Sequence, residues 1–188
     1  MTRIFLIGYM GAGKTTLGRA LAAALGIEFI DLDCYIEERF RKTISQIFAE
    51  KGEEEFRDIE RRMLHEVGEF EDVIISTGGG TPCFFDNVEY MNAQGTTVFL
   101  DVPLERLFIR LSIARSKRPL IKEKNDEELR TFIVEQLGKR MPHYSKAQHT
   151  FIADKLEDKT QIDSSVEAFC RQFNIQDIST NRYQTPLK

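Results

Sequence analysis

The chain has 188 residues, of which 41% are hydrophobic and 30% charged, as is ordinary for one globular domain with a sizeable core. Its 26 basic and 30 acidic side chains give a net charge of −4, so no general positive field attracts nucleic acid. No apolar run approaches the roughly 20 residues of a membrane span, and the opening apolar run is too short for a signal peptide. The odd number and wide spacing of Cys34, Cys83 and Cys170 indicate reduced thiols. We therefore expect a cytoplasmic monomer with neither a nucleic-acid nor a membrane partner.

The first element is a short apolar strand that leads directly into a glycine-rich loop. Residues 4–7 precede a GxxxxGKT segment at 8–15, and a helical pattern follows from Lys14 to Leu25. This is a phosphate-binding P-loop in its strand–loop–helix context, where glycines allow backbone N–H groups and the helix N-terminus to approach an anion. The pattern predicts a site for a nucleoside triphosphate with a divalent cation. Lys14 is expected to reach the β- and γ-phosphates and Thr15 to ligate Mg²⁺.

Strands and helices alternate along the rest of the chain, which predicts an α/β fold with a parallel sheet and helices on both faces. The predicted strands are short β-branched or aromatic runs at residues 4–7, 28–32, 73–76, 97–101 and 151–154. Apolar spacing and capping residues predict helices at 14–25, 43–52, 53–70, 103–111, 126–141 and 161–173. We predict one domain over residues 1–173, with a basic lid at about 112–124 and a flexible tail at 174–188.

Acidic and glycine residues follow the second and third predicted strands. Because the carboxyl ends of parallel strands line the ligand crevice, Asp31 and Asp33 are expected to face the P-loop. One carboxylate would lie near the metal and one near the phosphoryl acceptor; an acidic turn that caps the next helix is the alternative. The three consecutive glycines at 78–80 indicate either backbone in contact with a ligand or a strained turn.

Three arginines lie where an anionic ligand could bind. Arg57 begins the long amphipathic helix, where its charge opposes the helix dipole, so an anionic partner is expected. Arg118 lies in the basic segment and could close over the γ-phosphate, although a solvated basic loop is the alternative. Arg140 lies near the end of a later helix, where its charge is favourable with or without a ligand.

Together these motifs resemble those of the shikimate kinases, over residues 4–173. In chain order the pattern is GYMGAGKTTLG at 8–18, DLD at 31–33, GExxFR at 52–57, SxGGG at 76–80, RPL at 118–120 and RxPxY at 140–144. Several P-loop kinases share the first segment, whereas the later segments in this order are far more specific. The resemblance implies ATP-dependent phosphorylation of the 3-hydroxyl of shikimate, in aromatic amino-acid synthesis. It also implies a three-layer fold of the nucleoside-monophosphate-kinase type, with a five-stranded parallel sheet, a mobile lid and a substrate-binding helical region at about 34–62.

The resemblance further implies a role for each matching residue. The residues that would bind ATP are Gly11, Ala12, Gly13, Lys14, Thr15, Thr16, Arg110 and Arg118. The residues that would surround shikimate are Asp33, Arg57, Gly78, Gly79, Gly80 and Arg140, with Phe48 and Phe56 as apolar walls. Thr15 would bind Mg²⁺, with Asp31 and Ser76 acting through its waters. Lys14, Asp33 and Arg118 would be catalytic, and Arg110 would stack on adenine.

The chemistry of the acceptor agrees with this set. Shikimate is a carboxylate with three hydroxyls on a small ring; arginines suit the carboxylate, and an aspartate suits a hydroxyl. Asp33 could orient the attacking hydroxyl and take its proton, and orientation should contribute more because the transition state is loose.

Two alternatives stay open at this stage. One is a related small-molecule kinase, such as a gluconate or nucleotide kinase, which would lack this acceptor set. The other is a nucleotide-dependent switch protein, and the lack of an Asn-Lys-x-Asp guanine signature weighs against it.

Overall fold

The computed structural model describes residues 2–118 and 120–175, and its strands form one five-stranded parallel sheet. The strands are β1 (Arg3–Ile7), β2 (Glu28–Asp31), β3 (Val73–Ser76), β4 (Thr96–Asp101) and β5 (His149–Ile152), in the order β2-β3-β1-β4-β5. β1 lies at the centre and is buried along its whole length, as expected when helices cover both faces of a sheet. The predicted α/β fold is confirmed.

Seven helices accompany the sheet in the described residues: α1 (Lys14–Leu25), α2 (Leu32–Phe40), α3 (Ile44–Val67), α4 (Asn87–Gln94), α5 (Leu104–Ile113), α6 (Asp126–Tyr144) and α7 (Lys159–Gln172). Single 3-10 turns lie at Thr81–Cys83 and Arg115–Lys117. The predicted capping boxes are present, Thr43 with Gln46 and Asn125 with Glu128. Gly52 has φ 78°, outside the helical region, and divides α3 where the sequence predicts two helices.

Two helices, α2 and α4, are absent from the predicted set. The second strand was predicted through Leu32 but ends at Asp31, because the Asp31 carboxylate accepts the N–H groups of Asp33 and Cys34 and caps α2. The alternative interpretation of this acidic turn as a helix cap is therefore correct. Asp31 can cap α2 and face the ligand site at the same time.

Several helix ends also differ from the prediction; α3, for example, ends at Val67 and not at residue 70. α6 continues past Pro142 to Tyr144; in the last turn this proline removes one N–H bond, and the buried Tyr144 anchors the segment. α7 begins before residue 161 because Asp158 caps it. α5 ends at Ile113, so it extends into the segment predicted as the lid at 112–124.

The predicted tail at 174–188 lies mostly outside the described residues, which end at Ile175. The side chain of Ile175 packs against the core, and its N–H donates to the carbonyl of Cys170, so the described start of this segment belongs to the folded body. No helix in residues 2–118 and 120–175 is long and apolar enough to cross a membrane.

Candidate active site

A cavity of about 420 Å³ lies at the carboxyl ends of the central strands. Side chains and backbone from distant parts of the chain line it: Met10, Gly11, Gly13, Lys14, Thr15, Thr16, Asp31, Asp33, Ser76, Thr77, Gly79, Arg110, Arg118, Leu156 and Glu157. The structure thus brings the P-loop, the acidic turn and the glycine-rich turn into one concave site, as parallel sheet topology predicts.

Lys14 occupies the P-loop in a buried position. Gly13 has φ 90°, which turns the loop into the start of α1. The Lys14 ammonium donates to the carbonyls of Gly8 and Tyr9, at 2.9 and 3.1 Å. Burial lowers the pKa of Lys14 to about 8, although the attraction of Asp33 opposes the change. An incoming phosphate would give this partly desolvated cation a stronger partner than two neutral carbonyls.

Three oxygen-bearing side chains form a possible metal site beside the loop. The Thr15 hydroxyl donates to Oδ2 of Asp31 at 2.7 Å, and Asp31 pairs in register with Ser76 on the neighbouring strand. No group of three or more His, Cys, Asp or Glu side chains in the described residues could hold a metal alone. Mg²⁺ prefers oxygen ligands and keeps several waters, so this hydroxyl–carboxylate set fits a Mg²⁺ completed by water and phosphate.

Asp33 lies in the first turn of α2 and faces the cavity. The side chain of Asp33 is exposed to solvent at the cavity, although neighbouring protein partly desolvates its carboxyl. This desolvation, with repulsion from Asp31 and Glu60, raises the pKa of Asp33 to about 6, and the charge of Lys14 partly offsets it. A carboxylate whose pKa lies near neutrality is suited to accept a proton from a hydroxyl.

The glycine turn at residues 78–80 is a contact wall for three charged side chains. A Cβ added to the first glycine would lie 2.9 Å from Oδ1 of Asp33. A Cβ on the second would lie 3.2 Å from Nη1 of Arg140, and one on the third 3.0 Å from Nη2 of Arg57. A side chain here would force the charged ends of these groups to shift, so glycine permits their close approach. The wall also places a carboxylate and two guanidinium groups around one short stretch of backbone.

Arg57 is held in place by a buried acid. Its Nη1 donates to Glu60 at 2.9 Å, and its guanidinium lies 4.0 Å from the ring centroid of Phe84. Glu60 is 1% exposed, and its second oxygen accepts from the Thr81 hydroxyl at 2.6 Å. The buried Nε of Arg57 has no hydrogen-bond partner among the described residues. Nη2 also donates to Glu53 at 3.3 Å. The guanidinium is therefore fixed, and the remaining N–H groups of Nη1 and Nη2 are left for an additional anion.

Arg140 lies against two buried tyrosines. Its guanidinium is 5.4 Å from the ring centroid of Tyr9, and its Nη2 donates to Gln136 at 3.5 Å. One turn further along α6, the Tyr144 hydroxyl donates to the carbonyl of Gly79 at 2.6 Å. Burial raises the pKa of both tyrosines, that of Tyr9 to about 12, so both stay protonated near neutrality. The buried Tyr9 hydroxyl has no hydrogen-bond partner within the described part of the chain.

The two predicted apolar residues lie against Arg57, and they share with Arg57, Arg140, Gly78 and Gly80 a place outside the lining of the 420 Å³ cavity. The rings of Phe48 and Phe56 are 4.3 Å apart, and the Arg57 guanidinium lies 5.7 and 5.2 Å from their centroids. Phe56 is buried in the core. Arg118, by contrast, lines the cavity as predicted for a residue of the basic segment.

Comparison with known proteins identifies the family. A family model described as shikimate kinase matches residues 10–171. The chain belongs to the shikimate kinase family. The shikimate kinase of Phocaeicola vulgatus is 64% identical over 174 residues, or 93% of this chain and 99% of the relative. The shikimate kinase of Bacteroides fragilis is 61% identical, with coverage of 93% and 98%.

Solved structures of shikimate kinases agree with this assignment. The enzyme of Bacteroides thetaiotaomicron superposes with a TM-score of 0.90 at 57% identity, covering 93% of this chain and 99% of that one. The shikimate kinase of Acinetobacter baumannii in complex with shikimate gives a TM-score of 0.79 at 32% identity, with coverage of 93% and 94%. The resemblance predicted from the motifs is confirmed.

Several residues at this shikimate kinase site were not predicted. Glu60 was missed although an acid within the apolar stripe of α3 is an unusual pattern that could have indicated it. Met10, Thr77, Leu156 and Glu157 line the cavity without any distinctive local pattern. Their position follows from tertiary packing, which the spacing of residues does not show.

Proposed function

We propose that the chain transfers the γ-phosphoryl group of Mg²⁺-ATP to the 3-hydroxyl of shikimate in this cavity. ATP-dependent phosphorylation of shikimate is the activity of the family to which the chain belongs. The observation that best supports the assignment of residues is the convergence of Asp33, Arg57 and Arg140 on the glycine wall at 78–80, beside the P-loop. We further propose that the enzyme acts as a cytoplasmic monomer of one domain, over residues 1–173; light scattering of the purified chain tests the monomer.

The P-loop half of the cavity would bind the nucleotide. Backbone N–H groups of residues 11–16 would surround the phosphates, and the Lys14 ammonium would move from carbonyl partners to phosphate oxygens. Thr15 would ligate Mg²⁺, with Asp31 and Ser76 holding its waters; the ion, when bound, neutralises phosphate charge.

The acceptor would bind beside the P-loop, around the glycine turn at residues 78–80. Arg57 and Arg140 would hold the carboxylate of shikimate, and Asp33 would accept a hydrogen bond from its 3-hydroxyl. Phe48 and Phe56 would keep Arg57 oriented from its apolar side. This division suits a ring that carries a carboxylate at one end and hydroxyls at the other.

The transfer then needs mainly orientation and charge stabilisation. The 3-hydroxyl oxygen forms a bond to the γ-phosphorus while the bond to the β–γ bridging oxygen breaks, and ADP leaves with that electron pair. The hydroxyl proton passes to Asp33. Lys14 and Arg118, the latter carried by the proposed lid at 112–124, stabilise the charge on the transferred group. Because the transition state is loose, Asp33 contributes more by orientation than by proton removal.

A coupled assay for ADP release tests the proposed acceptor. We expect turnover with ATP, Mg²⁺ and shikimate, and far lower rates with gluconate or a nucleoside monophosphate. Turnover with one of those compounds and none with shikimate would favour the related small-molecule kinases instead.

Arg57→Ala is expected to weaken shikimate binding selectively. Loss of a charged hydrogen-bond donor to the carboxylate should raise the KM for shikimate about 10-fold or more, with the KM for ATP within about twofold. Arg57→Lys keeps a charge opposite buried Glu60 and should show a smaller effect. Arg61→Ala is the matched control, because Arg61 lies one turn further along α3 and pairs with Asp86 outside the site. If only the KM for ATP rises, Arg57 belongs to the nucleotide half of the site and the assignment to shikimate is wrong.

The pH dependence of the reaction is expected to show two limbs. Asp33 must be ionised, so kcat/KM should rise with pH through about 6, the pKa of its carboxyl in the empty site. Lys14 must be protonated, so kcat/KM for ATP should fall as pH rises through about 8. Bound phosphates stabilise the ammonium, so kcat/KM for shikimate at saturating ATP should lose this second limb. Rate profiles under both conditions check this, and a second limb that does not move would exclude Lys14 as its source.

A further inference from the structure

Arg110 has every N–H donor of its guanidinium occupied by the protein itself. Nε donates to Oε1 of Glu157 at 3.1 Å, and Nη2 donates to the same oxygen at 3.0 Å and to the carbonyl of Asp154 at 3.0 Å. Nη1 donates to the carbonyls of Gly11 and Ala153, at 3.3 and 3.2 Å. Because a guanidinium has five N–H donors, no in-plane donor is left for a ligand.

This arrangement leaves only the flat faces of Arg110 available. A guanidinium fixed by its edges can still stack its face on a planar ring. Three of the four acceptors are backbone carbonyls, while the fourth is Glu157, which supplies the only side chain and the only negative charge. The orientation of the Arg110 guanidinium plane therefore depends on one side chain, Glu157, that can be changed by mutation.

Glu157 also bonds the backbone of Leu156, which lines the same cavity. Its Oε2 accepts the N–H of Leu156 at 2.9 Å. The Leu156 side chain is 8% exposed and packs against the P-loop, where a Cβ on Gly13 would lie 2.4 Å from its Cδ1. The Glu157 carboxylate thus accepts hydrogen bonds from both Arg110 and the backbone of Leu156, and both residues line the cavity.

We infer that Glu157 is a positioning residue for the nucleobase end of the ATP site, where it orients Arg110 and Leu156 as part of the lining of a slot for a planar ring. The inference rests on the proposed function, because the phosphates must lie at Lys14 and Thr15 for the base to reach this end. A flat cation and an aliphatic side chain suit the faces of a purine, whereas a bare polyphosphate has no ring to stack on them.

Calorimetric binding of Mg²⁺-ADP and of Mg²⁺-pyrophosphate tests the inference, because only the first has a base. For Glu157→Ala we expect the Kd for ADP to rise about 5- to 10-fold, as for loss of a charged hydrogen-bond partner, and the Kd for pyrophosphate to change less than twofold. In turnover, the KM for ATP should rise in the same proportion with kcat within twofold. Glu157→Gln keeps an acceptor oxygen for Arg110 and should lie between Glu157→Ala and the unchanged chain.

Glu105→Gln is the matched control. Glu105 lies on α5, as Arg110 does, and forms an ion pair with Arg130 outside the cavity. We expect it to change neither Kd. Equal weakening of ADP and pyrophosphate by Glu157→Ala would indicate general damage to the site, and unchanged ADP binding would show that the slot does not need Glu157; either result overturns the inference. Failure of the proposed function would be seen separately: the protein without any substitution would bind ADP but would not phosphorylate shikimate.

Discussion

Asp33→Asn is expected to remove most turnover while making the protein more stable. The amide keeps the size of the side chain but can neither take the hydroxyl proton nor orient the hydroxyl as a charged acceptor. Loss of these contributions should lower kcat about 10²- to 10⁴-fold. Binding of Mg²⁺-ADP should persist, because the proposed phosphate ligands lie on the P-loop.

The stability gain follows from the direction of the pKa change. Because the folded protein raises the pKa of Asp33 from 3.8 to about 6, folding favours the neutral carboxyl, and stability is lost as pH rises through that value. The full change would correspond to about 3 kcal/mol, but water reaches the carboxyl through the cavity mouth, so we expect about 1 kcal/mol at pH 8. Well below pH 3.8 the side chain is neutral in both states, and the advantage of asparagine should vanish.

Urea unfolding at pH 8 and at about pH 3 together with steady-state kinetics checks both parts. Asp163→Asn is the control, since Asp163 lies exposed on α7, and we expect it to alter neither activity nor stability. Near-normal turnover of folded Asp33→Asn would refute the catalytic role. Equal or lower stability at pH 8 would show that the carboxylate is well solvated or well paired in the folded protein.

The nucleotide half of the site could be predicted from sequence because its chemistry is local. Residues 8–15 form the loop through their own backbone conformations, and Lys14 reaches back to the carbonyl of Gly8 only a few residues away. It was also predictable that residues following the strands would meet, since the carboxyl ends of parallel strands lie at one edge of the sheet. Asp31 and Ser76 were therefore placed near each other, and the register confirms it.

The acceptor half and the nucleobase end depend on contacts between distant segments. Arg57 owes its orientation to Glu60 and to Phe84, which lies well beyond α3 in sequence. Arg110 is fixed by the segment that follows β5, and neither helical spacing nor composition indicates that contact. The capping role of Asp31 was left open because one side chain can satisfy a helix end and face a ligand at the same time.

Lys14→Met is expected to abolish nucleotide-dependent turnover without unfolding the protein. Methionine is similar in length but brings no charge to the phosphates, and loss of one such electrostatic contact at a developing charge lowers kcat about 10²- to 10³-fold. The effect on stability should be small because two changes oppose each other. Removing a buried ammonium whose pKa is lowered to about 8 relieves desolvation, whereas the carbonyls of Gly8 and Tyr9 lose a donor.

The decisive measurement is the rise in melting temperature on adding Mg²⁺-ADP or Mg²⁺-ATP, because ligands that bind only the folded state stabilise it. We expect this rise to be large in the unchanged chain and in the control Lys159→Met, whose side chain is exposed at the start of α7. It should be much smaller in Lys14→Met. A full rise together with lost turnover would confine Lys14 to the transition state, while a full rise with normal turnover would contradict its role altogether. Each result distinguishes two proposed roles of the Lys14 ammonium. One is binding of the nucleotide phosphates, and the other is stabilisation of the transferred group in the transition state.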